Sequence, residues 1–211
     1  MIAYTQAEDM LNELNDNYLA GLLYSEIGSI YRIYYDYNKC LDAFQSAYNY
    51  YSLCALESHL AYALLDIGIA YWNIDNPKLA EAHINKALEV ALNSNDEYLE
   101  RICYQNLIIL YDKIGDTMKC GLIVDTLSAK YDYQLFSSGC LGSISSYYAE
   151  IKNYNLSNDY YGYAWNKTSN AIDSTALFFK SANILKRMGR TDEALVNFEY
   201  VIEIEFMHTS F

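Results

Sequence analysis

The sequence predicts an all-α fold, a row of stacked helix pairs. Three observations predict it. Small and large side chains recur together at intervals of about forty residues. Clusters of Asn, Asp, Gly and Ser fall where such helices would have to reverse. A single Pro and nine Gly in 211 residues leave the intervening stretches free to stay helical.

The stretch Leu64 to Val90 sets the pattern. It reads as a helix, a tight turn at Asp75-Asn76-Pro77 and a second helix. Its small residues Gly68, Ala80 and Ala87 are separated by twelve and seven positions. The same gaps separate Gly28, Cys40 and Ala47, then, with bulkier residues, Ile108, Cys120 and Leu127, then Ser145, Ser157 and Ala164, then Ala182, Ala194 and Val201. Three positions after each first member stand Tyr31, Tyr71, Tyr111, Tyr148 and Leu185. Four after each second member stand Phe44, Ile84, Val124, Tyr161 and Phe198. A short side chain lets two helix backbones approach, and a large one three or four positions on fills the space beside it.

Taken in order, residues 1–17 hold a short amphipathic segment, Thr5 to Leu14, expected to be a capping helix or the remnant of a preceding repeat. Five units follow over residues 18–206, at 18–55, 56–94, 95–133, 134–169 and 170–206, and residues 207–211 form a tail. Within the units the helices are expected at 18–35 and 37–54, 57–74 and 77–93, 96–113 and 116–131, 137–152 and 154–168, and 171–188 and 191–206. The intervening turns are Asp36-Tyr37-Asn38, Asp75-Asn76-Pro77, Gly115-Asp116, Asn153-Tyr154-Asn155 and Gly189-Arg190-Thr191. An Asp or Asn there caps the helix that follows, and Pro77 sits where a first-turn Pro is tolerated. Gly139 and Gly142 lower the helix propensity of the fourth unit, which matches the pattern least well. At the far end Val201, Ile202, Ile204, Phe206 and Met207 stay apolar. That end is expected to pack on itself, to form a homodimer, or to run on into further sequence.

Composition excludes several function classes. A net charge of −13 repels phosphate backbones and anionic membranes, so neither nucleic acid nor membrane is an expected partner. No apolar run is long enough to span a bilayer, and the N-terminus lacks the basic and apolar regions of a secretion signal. The five Cys are scattered without a C-x-x-C and read as buried free thiols in a reducing compartment. A cytoplasmic location is expected, or a periplasmic one if a leader has been removed. There is no phosphate-cradling Gly-rich loop and no nucleophile elbow. His59, His83 and His208 lie far apart outside any metal-binding spacing. No cofactor, metal or catalytic residue is assigned, and the chain is expected not to be an enzyme. Asn155-Leu-Ser157 and Asn166-Lys-Thr168 match the glycosylation pattern by accident if the chain is not secreted.

The pattern resembles the tetratricopeptide repeat in an extended-repeat variant. The residues that carry the likeness are Leu64-x2-Ile67-Gly68-x2-Tyr71 followed by Ala80-x3-Ile84, Tyr24-x2-Ile27-Gly28-x2-Tyr31 followed by Cys40-x3-Phe44, and Ala194-x3-Phe198. The repeat length departs from the family's 34, and the signature's terminal Pro is missing. The resemblance implies a right-handed α-solenoid of about five repeats, its concave face lined by the first helix of each pair. One pair alone cannot bury both faces of its helices, so the interfaces between repeats would carry the stability.

In that register the groove positions are Ser25, Ser29, Arg32 and Ile33; Leu65, Ile69, Trp72 and Asn73; Gln105, Ile109, Asp112 and Lys113; Gly142, Ser146 and Glu150; and Phe179, Asn183, Lys186 and Arg187. Of these, Arg32, Leu65, Ile69, Trp72, Asn73, Gln105, Asp112, Lys113, Phe179, Asn183, Lys186 and Arg187 are the candidate binding residues. Their amides and cations suit a peptide backbone, and Trp72 suits an anchor. Trp72 and Phe179 serve equally as core between repeats. The carboxylate clamp that some family members build from early repeats is absent, since Ser25, Ser29, Leu65 and Ile69 stand there. Lys180, Lys186, Arg187 and Arg190 gather late, as a spot for an acidic partner or a solvated helix end. The expected function is a non-enzymatic scaffold for a protein or peptide. The alternative is the sensory or regulatory region of a larger bacterial transcription regulator or signalling protein.

Overall fold

In the computed structural model, residues 16–54, 56–168 and 171–209 are described, the side chains of 171–173 and 205–209 excepted. The segment Thr5 to Leu14 and the side chains of Phe206 and Met207 lie outside the described residues. Among the described residues there are ten α-helices, one 3-10 turn and no strand. The helices are α1 (Asn17–Ile33), α2 (Tyr37–Leu53), α3 (Glu57–Asn73), α4 (Pro77–Ser94), α5 (Glu97–Ile114), α6 (Thr117–Lys130), α7 (Ser138–Glu150), α8 (Tyr154–Asn166), α9 (Ala171–Arg187) and α10 (Thr191–Thr209). The 3-10 turn, Tyr133–Leu135, was not foreseen from the sequence. Phe136, which follows it, is buried.

Side chains of the turn clusters begin the helices. Asp36, Asn76, Asp116 and Asn153 each accept from the backbone N–H three residues on, and Asp16 and Asp96 do the same for α1 and α5. Each bond satisfies an N–H that the first turn of a helix leaves without a partner.

The chain divides into two compact units, Met1–Asn106 and Leu107–Phe211. In the first unit α1 packs on α2, α2 on α3, and α3 on α4. Cys40, Phe44, Ile67 and Ala70 form one core cluster, with Tyr31, Leu41, Tyr48 and Tyr71 against it. Ala47, Tyr51 and Ala63 form a second. The helices approach closely at glycine. A Cβ on Gly28 would fall 2.6 Å from the Phe44 ring, and one on Gly68 would fall 2.7 Å from Ile84 Cγ1.

In the second unit α7 packs on α8 and α9 on α10, and α7 and α9 lie side by side. Ile108, Cys120, Val124, Leu127, Leu141, Ile144, Ala164 and Ala182 are fully buried there. Serines take over the small positions of the fourth pair. Ser145 Oγ donates to the Ser157 carbonyl at 2.7 Å, so the close approach of α7 and α8 is also a buried hydrogen bond. All fifteen small-register positions, from Gly28 to Val201, are buried across the two units.

Candidate functional site

Packing at the small register positions leaves one face of each first helix to be furnished by other residues. In the first unit, Arg32 stands four positions after Gly28 and Asp66 two before Gly68. They meet as an ion pair at 3.5 Å between α1 and α3. The Arg32 guanidinium also lies 5.9 Å from the centroid of the buried Phe44 ring. Burial pushes the Asp66 carboxyl up to about 6, against the lowering effect of Arg32.

The second unit repeats this register. Asp112 stands four after Ile108, Ser143 two before Ser145, and Lys180 two before Ala182. Lys180 Nζ donates to Asp112 Oδ2, and to Ser143 Oγ at 3.2 Å, so one ammonium ties α9 to both α5 and α7. Gly142 makes that reach possible, because a Cβ there would fall 3.2 Å from Lys180 Cδ and 2.9 Å from Leu177 Cδ2. The glycine that weakens α7 as an isolated helix is thus a place for a lysine stem to cross. Glu150 and Arg187, each five after the small residue of its helix, form a further ion pair between α7 and α9. The amide groups are pinned to their own helices. Asn73 donates to the Ile69 carbonyl at 2.9 Å and Asn183 to the Phe179 carbonyl at 3.0 Å, which leaves each amide oxygen as an acceptor.

The candidate residues fall into three groups. Leu65 is 5% and Gln105 3% exposed, so neither offers a surface to a ligand. Arg32, Ile69, Trp72, Asn73, Asp112 and Asn183 are half-buried on the first-helix faces. Lys113, Lys186, Arg187 and Phe179 are exposed, Phe179 at 51% with its ring edge-on to Phe198. The late cations are not an open cluster. Lys180, Arg187 and Arg190 pair with Asp112, Glu150 and Glu193, while Lys186 is exposed. Sequence reasoning placed Glu150 in the groove and Lys180 in the late basic cluster, but it did not assign Asp66 or Ser143 to the site. For Asp66 the signal was available, since it stands two before Gly68 and pairs with Arg32, four after Gly28. Among the described residues no three His, Cys, Asp or Glu gather as a metal site, and no helix is long and apolar enough to cross a membrane.

No family model and no curated protein matches the chain. Solved structures do. NprR in complex with its cognate peptide NprX is 16% identical at a TM-score of 0.68, over 93% of this chain and 60% of that one. The apo form of RapI is 14% identical at 0.77, over 99% and 91%. The nearly identical TPR-like repeats of a putative kinesin light chain from Podosopora anserina are 10% identical at 0.60, over 89% and 95%. At these identities the likeness is one of fold, and it defines the class: an all-α protein of tetratricopeptide-like helix pairs. The chain spans about three fifths of the NprR chain that it matches.

Proposed function

We propose that the chain is a scaffold that binds a peptide or protein segment on the exposed faces of its first helices. The observation that carries this reading is the polar lattice of the second unit. Lys180, Asp112 and Ser143 bridge three first helices, with Asn183, Arg187 and the exposed Phe179 on the same helix as Lys180. Fixed amides and paired charges give an extended backbone ready partners, and an open aromatic gives an anchor. That NprR was solved with its cognate peptide supports the reading by analogy of fold.

The experiment is capture of peptides from cell extract on the immobilised chain, identification by mass spectrometry, and titration of the synthetic peptide by fluorescence anisotropy. Asn183→Ala or Arg187→Glu should weaken it about tenfold or more with helical circular dichroism unchanged. Wild-type affinity in both variants would refute the assignment.

A second reading is the sensory region of a larger regulator. The fold likeness to NprR, a quorum sensor of which this chain spans about three fifths, favours it. An output domain in the full reading frame, with activity that responds to the captured peptide, would support it. Output that ignores the peptide would count against it.

A further inference from the structure

The turns that join the two helices of each pair share one register. Tyr35, Asp75, Gly115, Lys152 and Gly189 each stand seven after the register residue of the first helix (Gly28, Gly68, Ile108, Ser145 and Ala182), and all five have positive φ, from 59° to 77°. The preceding residue is apolar in every case: Tyr34, Ile74, Ile114, Ile151 and Met188. The flanks differ. The later turns read Asn73 and Asp75, Lys113 and Gly115, Glu150 and Lys152, Arg187 and Gly189. The first reads Ile33 and Tyr35. Ile33, Tyr34 and Tyr35 are 70%, 77% and 64% exposed. Three adjacent large apolar residues therefore face water where every other turn has polar or glycine flanks. One of them holds a left-handed conformation that glycine adopts freely and a tyrosine does not.

We propose that this Ile33-Tyr34-Tyr35 tip is a docking site for a basic peptide segment of a partner protein whose own large apolar side chains pack against it. Exposed, adjacent aromatic and aliphatic side chains supply anchor area at small loss of side-chain freedom. Charge selects the occupant. The first unit carries fifteen Asp and Glu against five Lys and Arg. The cations nearest the tip are already engaged, Arg32 with Asp66 at 3.5 Å and Lys39 with Asp36 at 2.6 Å. Asp42 and the neighbouring turn's Asp75 are exposed. A second copy of this chain, at −13, would meet its own sign, and so would an anionic membrane. The site does not depend on the first-helix lattice.

The test pans a phage-displayed random peptide library against the whole chain and titrates the selected peptides. The expected winners place Lys or Arg beside Leu or Phe and weaken with added salt. They should lose about tenfold or more in affinity on Ile33→Ser with Tyr34→Ser, and keep it on Asn183→Ala. Tyr35→Gly separates binding from folding, because it should melt higher than wild type and still bind more weakly. Selection of acidic or uncharged peptides, or basic ones indifferent to the tip variants, would overturn the proposal. So would sedimentation in which the wild type self-associates through the tip. Peptides lost on Asn183→Ala alone report the first-helix lattice instead.

Discussion

Gly68→Ala and Gly162→Ala should shift stability in opposite directions. Both glycines lie inside helices, α3 and α8, where alanine is intrinsically better by about 1 kcal/mol. At Gly162 nothing lies within 4 Å of the added methyl, so that gain should appear almost whole. At Gly68 the methyl would fall 2.7 Å from Ile84 Cγ1 and 3.2 Å from both the Ala80 carbonyl oxygen and the Ile84 nitrogen. Two of those atoms are backbone. Ile84 and Ala80 are fully buried, so α3 and α4 must part to admit the methyl. Overpacking of this kind costs about 1–3 kcal/mol, and the backbone contacts place it in the upper half. The net loss should be about 1–2 kcal/mol.

The two tryptophans give a separate reading of each unit. Trp72 lies four residues after Gly68 in the first, and Trp165 three after Gly162 in the second. Urea unfolding followed by fluorescence in single-tryptophan backgrounds should move the Trp72 transition down and the Trp165 transition up, each by roughly 0.5 M. If Gly68→Ala stabilises, the close approach of the helices is not what the small register position is for.

Backbone conformation, one buried carboxyl and the thiols each give a further test. Lys152→Gly, at φ 61°, should stabilise by about 0.5–1 kcal/mol, whereas Gly115→Ala, at φ 74°, should cost about 1 kcal/mol, read by thermal melts. Asp66 has a folded-state pKa of about 6, above its ordinary 3.8, so the fold binds the proton more tightly than the unfolded chain. Its favourable contribution is complete below about pH 4 and is lost as pH rises through 6. Asp66→Asn should therefore be more stable than wild type at pH 7.5 by about 1 kcal/mol, discounted because its side chain is 30% exposed, and the difference should vanish near pH 4. A variant less stable at pH 7.5 would show that the Arg32 pair outweighs the burial. Burial pushes the Cys40 thiol up to about 11, Cys103 and Cys120 to about 12, and Cys140 further. Only the half-buried Cys54 should react quickly with a thiol reagent at pH 8, and four fast thiols would contradict the described core.

The fold was legible because the property that repeats in the sequence is the one that packing demands. A residue at Gly68, Cys120 or Ser157 must be small or compact whatever surrounds it, so periodicity alone recovers it. The candidate site was legible only in part, because its exposure is set by neighbours far along the chain. Three positions before the register residue, Leu65 and Gln105 are buried while Phe179 stands open. The position is the same, and what packs beside each helix is not. Charge partners follow a rule that a list of basic residues hides. Lys180 looked like one cation in a late cluster, yet it reaches across Gly142 to Asp112, which precedes it by 68 residues. The absent side chain at Gly142 read as a weakness of α7 when helices were weighed one at a time. Beside α9 it is the space that the lysine stem occupies. A register carried across repeats, pairing the fourth position after one register residue with the second before the next, would have joined Arg32 to Asp66, and the equivalent positions, Asp112 and Ser143, are the two that Lys180 bridges. It would have brought Lys180 into the same lattice only once the glycine between them was recognised as empty space.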